Sequence, residues 1–170
     1  MIGLVRDIEN RAALIQEIRD TWGFDIISLS CGYPDSSTPV IPDIVRFWLD
    51  TAKSIGLPVD SVSWAFPTVG DSCVEDSTSE ISIFGTEGGL TLRKYLDPSD
   101  ESHLRDVANK LFARELSIDA NGNILVEYDD LHYSLSLGGV LGEEVCVDYT
   151  VDSTISPEDL GATYDMFKSL

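Results

Sequence analysis

Apolar and polar residues alternate one by one over residues 124–151 more regularly than anywhere else in the chain. Ile124, Val126 and Tyr128 interleave with Leu125, Glu127 and Asp129. Leu131, Tyr133, Leu135 and Leu137 interleave with His132, Ser134 and Ser136. Val145, Val147, Tyr149 and Val151 interleave with Cys146, Asp148 and Thr150. A strand turns successive side chains to opposite faces, so this period of two predicts an antiparallel meander with one apolar face. With Asp129-Asp130 as a two-residue turn, Tyr128 pairs with Leu131 and Glu127 with His132, and both strands keep their faces. The other face then carries Glu127, Asp129, His132 and Asp148, with Asp130 in the turn and Asp152 just past the last strand.

The rest of the chain mixes this period with the helical one. Ile8, Ala12, Ile15, Ile18 and Trp22 recur at three- and four-residue steps and predict a helix over 7–22, stopped by Gly23. Asp25 to Cys31 alternates as a strand with Ile27, Leu29 and Cys31 on its apolar side. Gly32 to Pro39 is a loop by composition. Ile41, Ile44, Val45, Trp48, Ala52 and Ile55 mark a second helix over 41–55, with Pro42 in its first turn and Gly56 after it. Val62, Trp64 and Phe66 alternate next, so 25–66 is a strand–helix–strand crossover with parallel strands. Pro67 to Thr78 is polar and aperiodic. Ile81 and Ile83, a Gly88-Gly89 turn, then Leu90 and Leu92 make a hairpin.

Asp97-Pro98-Ser99-Asp100-Glu101 opens a third helix with a cap, a first-turn proline and acids at its positive end. Leu104, Val107, Ala108, Leu111 and Phe112 form its stripe, and His103 lies at the edge of that stripe. A two-residue Asn121-Gly122 turn would put Ile118 on the acidic face. A five-residue loop, Asp119 to Asn123, pairs Ile118 with Ile124 and keeps the faces consistent. Ser156-Pro157-Glu158-Asp159 starts a last helix. The sum is an α+β fold: a largely antiparallel sheet of about seven strands, three to four helices, and the C-terminal meander 124–151, in a single globular domain spanning 1–170.

Composition changes this picture in one respect. Hydrophobic content of 43% and charged content of 24% are ordinary, but the net charge is −19. The excess is uneven. Residues 1–54 hold eight acids and five bases, whereas 115–170 hold twelve acids and one base, Lys168. Such a surface repels phosphates, which argues against direct nucleic-acid binding and for a basic protein partner, such as a toxin, a nuclease or another nucleic-acid-binding protein. Solubility alone is the competing reading of the same charge. No apolar run is long enough to span a membrane, and Met1 to Val5 is too short for a signal peptide. Cys31, Cys73 and Cys146 are odd in number and far apart, as expected in a reducing compartment, with the cytoplasm as default.

Several stretches carry possible chemistry. Asp119, Asn121, Asn123 and Asp130 have the spacing of a calcium loop, but Ile124 stands where glycine is needed and both flanks read as strand. Gly85 to Gly89 has the glycines of a phosphate loop without its Lys-Ser/Thr ending or following helix. Two histidines and scattered cysteines do not make a zinc site, and the residues call for no metal or cofactor. Glu127 opposite His132 is an acid–base pair or a cross-strand contact.

Gly70-Asp71-Ser72, together with Asp129-Asp130-Leu131-His132, resembles the nucleophile and Asp-x-x-His blocks of the GDS-type esterases. That resemblance, which covers seven residues, implies a serine nucleophile served by a histidine. A Gly-x-Asn-Asp block to donate to an oxyanion is missing, and His132 falls mid-strand rather than in a loop near the chain end. The reading that results is an acidic inhibitor or immunity-type protein that binds a basic partner through Glu127, Asp129, Asp130, His132, Asp148 and Asp152. The alternative is a small enzyme or ligand-binding domain with a site near 67–78 and His132.

Overall fold

A computed structural model describes residues 2–31, 40–64, 79–84 and 89–170. Among them are four helices and seven strands in mostly antiparallel pairing, the expected α+β class. The chain divides into two compact units, residues 1–90 and 91–170.

The first unit opens with helix α1, Ile2–Trp22. It begins five residues ahead of the expected start, since Gly3 is the sole poor helix former in that turn and costs little near an end. Strand β1 (Ser28–Cys31), helix α2 (Asp43–Ile55) and strand β2 (Ser61–Trp64) form the crossover, with β1 and β2 parallel from Ser28 opposite Ser61 to Cys31 opposite Trp64. Gly56 ends α2 in the left-handed region at φ 73°, where its amide reaches back to the last carbonyls. Strand β3 (Ile81–Phe84) also runs parallel to β2. Asp60 sets this register: its carboxylate accepts from the backbone of Glu80 and Ile81, and its carbonyl from Ile27 and Ser28. That anchor also corrects one expectation. Ile27 is held ahead of the ladder and is 70% exposed, while Ile26 and Leu29 go into the core. Trp48, buried outright, heads an α2 stripe of Val45, Leu49 and Ala52, and Trp22 of α1 donates its ring N–H to Asp50 at 2.7 Å. The loop Gly32–Pro39, Phe66, the stretch Pro67–Thr78 with Ser72, and the turn from Gly85 to Gly88 lie outside the described residues.

The second unit is built on strand β4 (Gly89–Leu96) from Thr91 onward, with β5 (Asn123–Asp129), β6 (Tyr133–Val140) and β7 (Glu144–Val151), in the order β4-β7-β6-β5. β5–β6 and β6–β7 are antiparallel. Thr91 meets Thr150 and Arg93 meets Asp148, so β4 and β7 also run in opposite senses. Ile124, Val126, Leu135, Leu137, Val145, Val147 and Val151 are buried on one face. Helix α4 (Pro157–Lys168) puts Phe167 against Tyr149 of this face, and helix α3 (Glu101–Phe112) buries Leu104, Val107 and Ala108. Ile118 bridges Ile124, as the five-residue loop requires, with the Asp119 carboxylate holding the amides of Asn121 and Asn123. Helix α3 starts three residues later than expected. Asp97 folds onto Ser99 in a turn of its own, and Asp100 caps the helix by accepting from the His103 amide.

Candidate functional site: the acidic hairpin end and its aromatic ladder

The β5–β6 connection departs from the expected one. Asp129 pairs with Ser134, and the Asp130 amide donates to the Tyr133 carbonyl at 2.8 Å, so the turn is Leu131-His132. Two bonds, one within the turn and one to a residue twenty positions on, favour this choice over Asp129-Asp130. The Asp130 carboxylate accepts from the Leu131 amide at 2.6 Å, and the His132 ring nitrogen Nδ1 lies 2.8 Å from Asp152. The change moves each strand by a whole repeat, so the faces survive while the partners change. Glu127 now faces Ser136 and Tyr128 faces Leu135. His132 leaves the sheet face altogether, which dissolves the expected Glu127–His132 pair, and Leu131 is 86% exposed instead of joining the apolar face.

The six sequence-derived site residues thus fall into two groups. Glu127, Asp129 and Asp130 are exposed, on the terminal strand of this unit's order and at its hairpin end. Arg114 reaches the same edge and donates to the Glu127 carbonyl oxygen. The other three are engaged in structure. Asp148 receives both arms of the Arg93 guanidinium at 2.7 and 2.8 Å, with both side chains mostly buried. Hydrogen bonding to Asp148 holds the Arg93 guanidinium well above its ordinary value, although burial opposes it. Asp152 accepts from the Thr154 hydroxyl and amide and lies against His132, while its own amide donates to the His132 carbonyl. Those bonds, the Thr154 hydroxyl foremost, lower its pKa to about 2. His132 and Asp152 therefore tie the hairpin turn to the segment leaving β7. The histidine that the esterase-like pattern would use is bonded to Asp152, and Ser72 lies outside the described residues.

Beside these acids lies a row of aromatic rings that alternation by itself does not reveal. On the apolar face Phe167, Tyr149, Tyr133 and Tyr128 follow one another with ring centroids 5.9, 5.5 and 5.7 Å apart. The spacing suits offset aromatic contacts between diagonal neighbours on adjacent strands. The row starts from buried Phe167 and ends at Tyr128, 43% exposed, whose hydroxyl points to Asp130 at 3.5 Å. Alternation alone placed the three tyrosines on one face. Their succession needed the register.

On the opposite face Cys146 borders a hollow of about 300 Å³ with Gly138, Gly139, Val140, Glu143 and Glu144. Burial pushes its thiol pKa up, and the Asp148 charge adds to this, so it is poorly suited to act as a nucleophile. Among the described residues no cluster of His, Cys, Asp and Glu could hold a metal ion, and no helix is long and apolar enough to cross a membrane.

The fold and site together define an α+β chain with exposed acids on the last strand of its C-terminal unit's order and at its hairpin end. No family model, curated protein or solved structure matches it.

Proposed function

We propose that the chain is an acidic binding protein that occupies a basic surface on a protein partner, in the manner of an immunity protein or inhibitor. The observation that carries this reading is the exposure of Glu127, Asp129 and Asp130 along one terminal strand and its hairpin end, in a stretch of twelve acids and one base. Exposed carboxylates along such an edge do two things. They repel a second copy of the same edge, which keeps an exposed strand from pairing with itself, and they attract a cationic patch from a distance. A partner that acts on nucleic acid has such a patch where it grips phosphate, and covering it would block that action. Asp148 and Asp152, spent on Arg93 and His132, support the edge rather than meet the partner.

The test uses the complex isolated with its partner from the native host. Raising salt from about 50 mM to about 500 mM shortens the Debye length several-fold and should slow association while dissociation changes little. Reversing Glu127, Asp129 and Asp130 to lysine should abolish capture and leave the melting temperature within a few degrees. Association indifferent to both changes refutes the reading.

A further inference from the structure

The aromatic ladder stops at a place that nothing in the charge argument explains. Three tyrosines continue a row that begins at buried Phe167, with Tyr149 and Tyr133 partly exposed and Tyr128 the most open at the end. Of the described ring contacts, Tyr128 has Tyr133 on one side. Its hydroxyl lies 3.5 Å from the Asp130 carboxylate, which is itself exposed. The phenol of Tyr133 is shifted upward chiefly by its hydrogen bond with Tyr128 and that of Tyr149 chiefly by burial, with smaller contributions from the charges of Asp130 and Asp159. An exposed aromatic face with an exposed carboxylate beside it suits a planar cation. Among the described residues the protein already pairs cations with rings, Arg46 over Trp22 at 5.6 Å and Lys168 over Tyr164 at 4.6 Å.

We infer that Tyr128 is the docking step for an arginine side chain of the partner, which would stack on the outer face of the ring as the next member of the ladder and bond Asp130. This rests on the reading of the acidic edge as a protein-binding surface, and it specifies what that surface reads. Guanidinium is favoured over ammonium because it is planar, less strongly hydrated, and able to stack and donate to a carboxylate together. Carboxylates alone would accept lysine and arginine about equally.

Oligoarginine, oligolysine and neutral oligocitrulline peptides of equal length separate these cases in a binding titration with the full chain. The expected result is that oligoarginine binds roughly tenfold more tightly than oligolysine and oligocitrulline does not bind. Tyr128→Leu should erase the arginine preference while a salt-sensitive residue of binding to both cations survives, and Tyr128→Phe, which keeps the ring, should retain it. Equal affinity for the two cationic peptides, a preference that survives Tyr128→Leu, or binding of oligocitrulline would overturn the arginine step and leave the acidic edge standing. Failure of both cationic peptides to bind at low salt would sink both.

Discussion

Asp148 is the residue whose substitution best separates structure from recognition. It lies in the middle of β7 with its carboxylate gripped by both arms of Arg93, and their side chains are 25% and 19% exposed. Removing one partner of a fully buried pair costs about 3–5 kcal/mol, chiefly because the other charge is left without compensation. Water reaches a fifth to a quarter of this pair, so the cost of Asp148→Ala should be nearer 2 kcal/mol. In a protein of this length that corresponds to a fall of roughly 4–8 °C in melting temperature. Asp148→Lys, which sets two cations against each other, should cost more. The assay is a double-mutant cycle in urea with Arg93→Met, Asp148→Leu and the double variant. The double variant should regain most of the loss, because two apolar side chains in place of a partly buried ion pair leave no stranded charge. A coupling energy below about 0.5 kcal/mol would refute the claim that Asp148 serves the sheet. It would return that residue to the partner-facing group.

Two further outcomes follow from local geometry. Gly139 has φ 142°, and a Cβ there would overlap the Glu144 carbonyl oxygen and lie 2.8 Å from Val145 Cα, so Gly139→Ala should cost about 3 kcal/mol or more in a chemical denaturation curve. Gly142, at φ 84° with open space around it, should cost only about 1 kcal/mol on the same substitution, and equal losses would count against the β6–β7 register. Asp152, depressed from 3.8 to about 2, favours the folded state above its unfolded pKa, and that contribution is lost as pH falls toward about 2. A carbon-detected titration should find its midpoint near 2 and should find it raised toward 3.8 in Thr154→Ala. An unchanged midpoint in that variant would rule out the Thr154 hydroxyl as the main cause.

The chain by itself determined most of the scaffold, because side-chain periodicity and terminators act over a few residues. The meander, the stop at Gly56, the parallel crossover from β1 to β2 and the bridge from Ile118 to Ile124 all rest on such short-range rules. Where the errors arose, two local signals competed. Asp129-Asp130 and Leu131-His132 each make a two-residue turn that preserves the faces, and the second is held by the Asp130 carboxylate on the Leu131 amide and by the reach of His132 to Asp152, twenty residues away. The same limit hid the fate of the acids. Glu127 and Asp148 look alike in an alternating strand. Whether a carboxylate stays free depends on which strand lies alongside, and Arg93 reaches Asp148 across 55 residues of sequence. Periodicity assigns a side chain to a face, but strand order and register assign it a neighbour. For a protein read by its charge, it is the neighbour that decides whether the charge is presented or spent.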